Sequence, residues 1–143
     1  MWEIKEFKEL STKELFDIYK LRQKVFVLEQ TRLYKEVDDI DLEAFHIFKY
    51  IDDELVAYAR VFKEGDHISF GRVVTEHSQR GTGLGKSLMH EVLGFIKRNF
   101  PGSRIEIEAQ TYVQKFYEKF KFERIGEEFL FNTTPHVKMV LQM

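Results

Sequence analysis

The segment "QRGTGLGKS", Gln79 to Ser87, sets three glycines at alternate positions between an arginine and a lysine. Glycine at 81, 83 and 85 removes the β-carbons that hold a phosphate away from backbone amides. Arg80 and Lys86 add charged donors at the rim. A helix opening here points its unpaired amides, at the positive end of its dipole, toward an anion. A pyrophosphate suits such a turn. Two nucleotide motifs miss it by one residue each. G-x-x-x-x-G-K-[ST], counted back from Gly85-Lys86-Ser87, needs glycine where Arg80 stands. G-x-G-x-x-G, begun at Gly81 and Gly83, needs glycine where Lys86 stands. His90-Glu91 begins H-E-x-x-H, but Gly94 occupies the second histidine's place, and Gly85–Met89 fails G-x-S-x-G at its last position. Metal and serine-nucleophile chemistry are therefore not expected.

Composition narrows the field further. At 143 residues, with 43% hydrophobic residues and 14 Phe, the chain can bury one real core, and one domain over 1–143 is expected. A net charge of −2 gives no support to a nucleic-acid binder. The absence of cysteine excludes disulfides, zinc–thiolate sites and cysteine-linked acyl intermediates. The opening MWEIKEFKEL lacks the apolar core of a signal peptide, and no apolar run approaches membrane-spanning length. A soluble cytoplasmic protein is expected, without a membrane partner. A homodimer is compatible with this composition.

The elements that must carry the glycine turn follow from periodicity. Trp2 to Phe7 alternates apolar and charged side chains, as a half-buried strand does. Ser11 and Glu14 form a capping box for a helix ending near Glu29-Gln30, with Leu15, Ile18, Tyr19, Arg22, Val25 and Phe26 on one stripe. Residues 31–45 are polar and irregular, and the acidic run Glu36 to Glu43 reads as a solvated loop. His46–Ile51, Leu55–Phe62 and His67–Thr75 form an antiparallel meander joined by short polar turns. Gly71, inside the third, suggests a bulge. Gly83–Asn99 is an amphipathic helix stopped by Phe100-Pro101-Gly102. Arg104–Gln110 is a strand, Tyr112–Phe120 a short helix with Val113, Phe116 and Phe120 inward, and Phe122–Ile125 and Val137–Met143 close the chain. The order β-α-β-β-β-α-β-α-β-β is a mixed α/β layer fold.

Several segments together carry a family resemblance. Arg80-Gly-Thr-Gly83-Leu-Gly85 resembles the R/Q-x-x-G-x-G/A acyl-CoA pyrophosphate loop of the GNAT N-acetyltransferases. Ala109 to Phe122 is similar to their following strand, helix and "LYEKxGF" close. "LRQKVFVLEQ", "LVAYARV", "AQTYVQKFY" and "PHVKM" resemble the ElaA-type branch, so the likeness spans essentially the whole chain. The resemblance implies the GNAT fold, an α/β (α+β) architecture whose mixed, mostly antiparallel sheet splays at a cofactor cleft. It implies acetyl-CoA as co-substrate and an amine as acceptor. The loop of Arg80, Gly81, Thr82, Gly83, Leu84, Gly85 and Lys86 would hold the pyrophosphate. Val73, Val74 and Thr75 would pair their backbone with the pantetheine arm, and an amide there would polarise the thioester carbonyl. Gln110 stands where the family often has a pantetheine-contacting asparagine, and Phe116 belongs to the same wall. Tyr117 matches the tyrosine that protonates the departing thiolate. A phenol of pKa ~10 can donate to a thiolate whose acid has pKa ~8.5 when geometry helps. Where the family usually has glycine, suited to a left-handed cap, Lys121 stands; the lysine must either strain or end the helix differently.

The acceptor side is less legible. An attacking amine must lose a proton, and Glu29, His46 and His136 are candidates for the base, with His136 alternatively a wall of the acceptor pocket. Each has a plainer role available, as a solvated helix end or a hydrogen-bonded structural histidine. Arg60 and Arg72 come together if the 55–62 and 67–75 strands pair; if turned inward, they demand a carboxylate such as Glu29 or an acidic acceptor. Direct attack in a ternary complex is expected. The competing readings are a non-catalytic acyl-CoA-binding regulator on the same fold and a degenerate phosphate-loop nucleotide binder.

Overall fold

The computed structural model describes residues 1–30, 35–131 and 134–143. Its seven strands form one sheet in the order β1-β2-β3-β4-β5-β7-β6. They are β1 (Trp2–Glu6), β2 (Phe45–Ile51), β3 (Glu54–Glu64), β4 (His67–Thr75), β5 (Arg104–Gln110), β6 (Glu123–Phe131) and β7 (Thr134–Gln142). Every pairing is antiparallel except β4 with β5. The expected meander of β2, β3 and β4 is present.

One face of the sheet carries α3 (Leu84–Asn99), whose Leu88, Met89, Val92 and Ile96 pack on Ile47, Ala59, Val61, Ile107 and Met139. Burying each such side chain contributes roughly 1.5–3 kcal/mol, so α3 is fixed as the floor under the glycine turn. Trp2 donates its indole N–H to the Ser87 hydroxyl at 3.2 Å, tying the first strand to the first turn of α3. The other face carries α1 (Thr12–Arg22). The Ser11–Glu14 capping box forms in both directions, at 3.0 and 2.9 Å. A π-helical stretch, Gln23–Glu29, continues α1 and ends with Gln30 N–H donating to the Val25 carbonyl at 3.1 Å. Ile18, Leu21, Val25 and Phe26 lie against Phe48, Tyr58 and Val74. Leu15 and Tyr19, expected on the stripe, are half-buried, and Leu21 takes the inner position.

The acidic run departs from expectation. It is not a solvated loop: Glu36 and Asp41 are buried, and Ile40–Glu43 forms a short helix, α2. Arg22, fully buried, donates from Nε to Glu36 Oε1 at 2.9 Å and from its terminal nitrogens to Asp41 at 2.8 and 3.1 Å. Arg60 donates to Asp38 at 2.6 Å and Asp41 at 3.0 Å. Arg72 donates from a terminal nitrogen to the Glu36 carbonyl at 3.0 Å. The two strand arginines thus find their carboxylates here and not at Glu29. Burial pushes Asp41 up, but hydrogen bonds and charge from Arg22 and Arg60 hold it below the usual carboxylate range. An unpaired guanidinium inside would cost several kcal/mol, so arginines from α1, β3 and β4 draw this segment onto the sheet.

Two further boundaries differ. The short helix is a turn, Thr111–Val113, followed by α4 (Gln114–Glu118). Its deepest side chain is Tyr117; Val113, Phe116 and Phe120 are half-buried. Strand β6 runs on to Phe131, six residues past its expected end, as an exposed edge strand with an irregular register between Ile125 and Phe129. Exposure removes the alternation that would have announced it.

Lys121 ends α4 in the left-handed conformation, φ 76°, with Phe122 N–H donating to the Tyr117 carbonyl at 3.3 Å. Left-handed backbone costs a residue with a β-carbon ~1–2 kcal/mol, of which the entropy of glycine would offset about half. Lys121→Gly is therefore expected to raise Tm by about 3 °C in a thermal melt. A lower Tm would mean that the lysine side chain contributes more than the backbone loses.

Candidate active site

The site begins with an irregularity in β4. Its register against β3 passes from Tyr58 opposite Val74 to Arg60 opposite Gly71, so Ala59 faces both Arg72 and Val73. This is a β-bulge, with Arg72 at φ 52°. The bulge that Gly71 suggested lies one residue further on. On its other edge β4 pairs with β5 at Ile68–Ile105, and beyond that point the strands separate. A cavity of about 900 Å³ fills the gap.

Val73, Val74 and Thr75 line it on the β4 side, and Gln110, Phe116 and Tyr117 line it on the β5–α4 side. Arg80, Glu29 and His136 also reach it. Residues distant in the chain thus meet around one opening. Gly81 to Lys86 do not line the cavity; they form the adjoining turn and the start of α3.

That turn is built from its own backbone. Glu76 caps the short turn His77–Gln79, accepting from the Ser78 amide at 2.6 Å and from the Ser78 hydroxyl, while Lys24 donates to it at 2.6 Å. The bond from Lys24, followed by those from Ser78, pushes the Glu76 carboxyl down to about 2, so it stays charged. Thr82 spends its hydroxyl on the Gln79 carbonyl at 2.6 Å. Gly81 and Gly83 are left-handed, φ 83° and 86°, and among the described residues no side-chain cap bond forms at the α3 N-cap, Gly83. The α3 amides there remain open to an anion. The Leu84 side chain is in the core, so only its backbone can serve a ligand. A β-carbon at Gly85 would stand 4.0 Å from the Phe116 ring, which places α4 directly beside the turn.

Arg80 is paired with Glu29 and also donates to the Thr75 carbonyl at 3.2 Å. This ties the expected pyrophosphate ligand to an expected base. The π-helical stretch brings Glu29 to the loop's own arginine.

Tyr117 is buried among Phe70, Phe116 and Phe122, with ring centroids 6.0, 5.3 and 5.9 Å away. Burial raises its hydroxyl above the ordinary tyrosine value, so it keeps its proton at neutral pH. Gln110 donates to the Gln30 side chain at 3.4 Å and faces His136 across β5 and β7. His136 lies between Phe129 and Phe131, at 6.0 and 5.4 Å. Its Nδ1 is 2.8 Å from the Thr134 carbonyl oxygen, which can only accept. The proton of the neutral ring therefore sits on Nδ1, and Nε2 keeps a lone pair, the tautomer that a base requires.

His46 is excluded from such a role. It is fully buried, Nε2–H donates to the Asp41 carbonyl at 2.9 Å, and Nδ1 accepts from the Tyr58 hydroxyl at 2.6 Å. Burial lowers its pKa, and both nitrogens are occupied. It is a structural histidine.

A family model described as "Acetyltransferase (GNAT) domain" matches residues 9–143. The chain belongs to the GNAT acetyltransferase family. Among GNAT relatives, a UPF0039 protein of Schizosaccharomyces pombe is 39% identical over 142 residues, covering 97% of this chain and 95% of that protein. Protein ElaA of Escherichia coli is 33% identical over 147 residues, covering 99% and 96%. The crystal structure of E. coli ElaA superposes with a TM-score of 0.93 at 34% identity, covering 98% of each chain. An acyl-CoA N-acyltransferase from Pseudomonas aeruginosa superposes with a TM-score of 0.93 at 33% identity, covering 98% of this chain and 97% of that one. The splayed, mostly antiparallel sheet is the GNAT fold. No helix among the described residues is long and apolar enough to cross a membrane.

Proposed function

We propose that this GNAT domain, spanning 1–143, transfers an acetyl group from acetyl-CoA to an amine by direct attack in a ternary complex. The observation that carries this reading is the gap between β4 and β5, with Tyr117 among its lining residues and Arg80 joining it to the adjacent glycine turn. The pyrophosphate would take the amides of Gly81 to Lys86 together with Arg80. The pantetheine would lie along Val73–Thr75 as an added strand, contacting Gln110 and Phe116. The similar P. aeruginosa protein's name, an acyl-CoA N-acyltransferase, supports a CoA-linked donor. The cytoplasm is the compartment proposed for this reaction.

In that pose the amine lone pair attacks the thioester carbon, and a β4 amide stabilises the oxyanion. The C–S bond then breaks, and Tyr117 gives its proton to the thiolate. The proton leaving the amine goes to His136 Nε2, directly or through water. Incubating acetyl-CoA with a panel of amines and following free thiol tests the proposal; CoA bound without release under any amine would favour the regulator.

The two base candidates separate by experiment. His136→Gln is expected to lower kcat by about 10²-fold, leaving CoA affinity unchanged. Glu29→Gln releases Arg80 from a partly exposed ion pair worth ~0–1 kcal/mol and is expected to tighten CoA by up to about fivefold. If Glu29→Gln instead lowers kcat by about 10²-fold while His136→Gln does not, Glu29 is the base and His136 a pocket wall.

A further inference from the structure

We propose that Glu36 is a positioning residue for the donor: it clamps Arg72 in the left-handed conformation and so holds the bulge that opens β4. The proposal rests on the reading of the cavity as a CoA site. It starts from a cost. Arg72 has φ 52° in a strand, and a residue with a β-carbon held there is strained. Such a conformation persists where the surroundings over-determine it. Here Glu36 supplies both a carboxylate and its own carbonyl, and Asp38 Oδ2 adds a longer contact to a terminal nitrogen at 3.5 Å. Arg72 Nε lies 2.5 Å from Glu36 Oε2, and its terminal nitrogen lies 3.0 Å from the Glu36 carbonyl oxygen.

Glu36 is itself immobilised. It is buried, and Arg22 also binds it, through Nε at 2.9 and 3.1 Å and through a terminal nitrogen on its carbonyl at 2.9 Å. Arg22 is fully buried on α1, and Asp41 occupies the rest of its guanidinium. Burial works against the charge of Arg22, but the bonds from Asp41 and Glu36 raise its pKa further. A rigid path therefore runs from α1 through Arg22 and Glu36 to the residue where β4 leaves the β3 register. The residues just past that point, Val73 to Thr75, line the cavity. Releasing Arg72 would let β4 relax toward regular pairing and close the strand edge on which the pantetheine lies. The nucleotide end of CoA would be unaffected, because the glycine turn has its own supports at Glu76 and Gln79.

The test separates the two ends of CoA. Dissociation constants are measured for CoA and for ADP, which carries the pyrophosphate without pantetheine, on folded protein. Arg72→Ala is expected to weaken CoA by about tenfold and leave ADP unchanged, since alanine has neither the clamp nor ease in left-handed backbone. Arg72→Gly, at home at positive φ, is expected to stay within about threefold of the unaltered protein. Glu36→Gln is expected to match Arg72→Ala. If losing a charge beside Arg22 unfolds it, the alanine–glycine comparison at position 72 decides alone. Equal loss in Arg72→Ala and Arg72→Gly overturns the clamp, as does parallel weakening of CoA and ADP or no weakening at all. Failure of the unaltered protein to bind CoA overturns the donor reading and the clamp together.

Discussion

Tyr117→Phe is expected to keep acetyl-CoA affinity while kcat falls by about 10²–10⁴-fold, the range of general acid catalysis. The ring contacts with Phe70, Phe116 and Phe122 are the same for phenylalanine, so the α4 wall and the cavity shape persist. Only the hydroxyl is lost. Burial keeps the tyrosine protonated well past neutrality, so its own ionisation should not limit the rate below about pH 10. The same shift makes it a weaker acid than an exposed tyrosine. Proton transfer is then favourable only as negative charge builds on sulfur, which confines its contribution to the transition state. The decisive measurement is kcat for a verified amine beside the Kd for acetyl-CoA. An unchanged kcat would assign thiolate protonation to water; a joint loss of both would make Tyr117 a packing residue.

Gly83→Val is expected to abolish CoA binding. Position 83 combines φ 86° with the N-terminus of α3, so a branched side chain meets two penalties. It is strained in left-handed backbone, and its methyl groups crowd the N-terminal amides of α3, for which the described residues show no side-chain cap bond at Gly83. A β-carbon there meets no atom of the described residues within 4 Å, so the loss would come from the ligand side and not from a clash with them. For the unaltered protein, CoA at 100 times its Kd stabilises by ~2.7 kcal/mol through linkage and should raise Tm by about 8 °C. Gly83→Val should melt somewhat lower and show no response to CoA. Arg80→Ala should respond at higher CoA concentrations, having lost one cation but not the amides. A full thermal response in folded Gly83→Val would show that the pyrophosphate binds elsewhere.

Much of this architecture was legible in the residues. The capping box at Ser11, the meander of β2 to β4, the amphipathic α3 and the glycine turn before it are all local: each depends on side chains within a few positions of one another. Periodicity and turn chemistry report such features directly. At Lys121, where the family usually has glycine, the sequence left open whether the lysine would strain or end the helix differently; its φ of 76° shows the left-handed end. Chemistry at Arg80, Gln110 and Tyr117 was reached through the family resemblance, and the fold does bring these three to one cavity.

What the chain alone could not express is pairing between distant charges and distant edges. The run Glu36 to Glu43 has the composition of a solvated loop. Only when α1, β3 and β4 assemble do Arg22, Arg60 and Arg72 converge and make burial of those carboxylates favourable. Glu29 and Arg80 are 51 positions apart, and His46 looks no different from His136 in sequence. Tertiary structure occupies both nitrogens of the one and leaves a lone pair on the other. The exposed edge strand β6 carries no burial pattern to read. The residues themselves determined the elements and the glycine turn before α3, because hydrogen-bonding geometry over a few residues suffices for those. The cavity, the clamp on Arg72 and the tautomer of His136 were decided by packing, because each depends on groups that meet only once the sheet has formed.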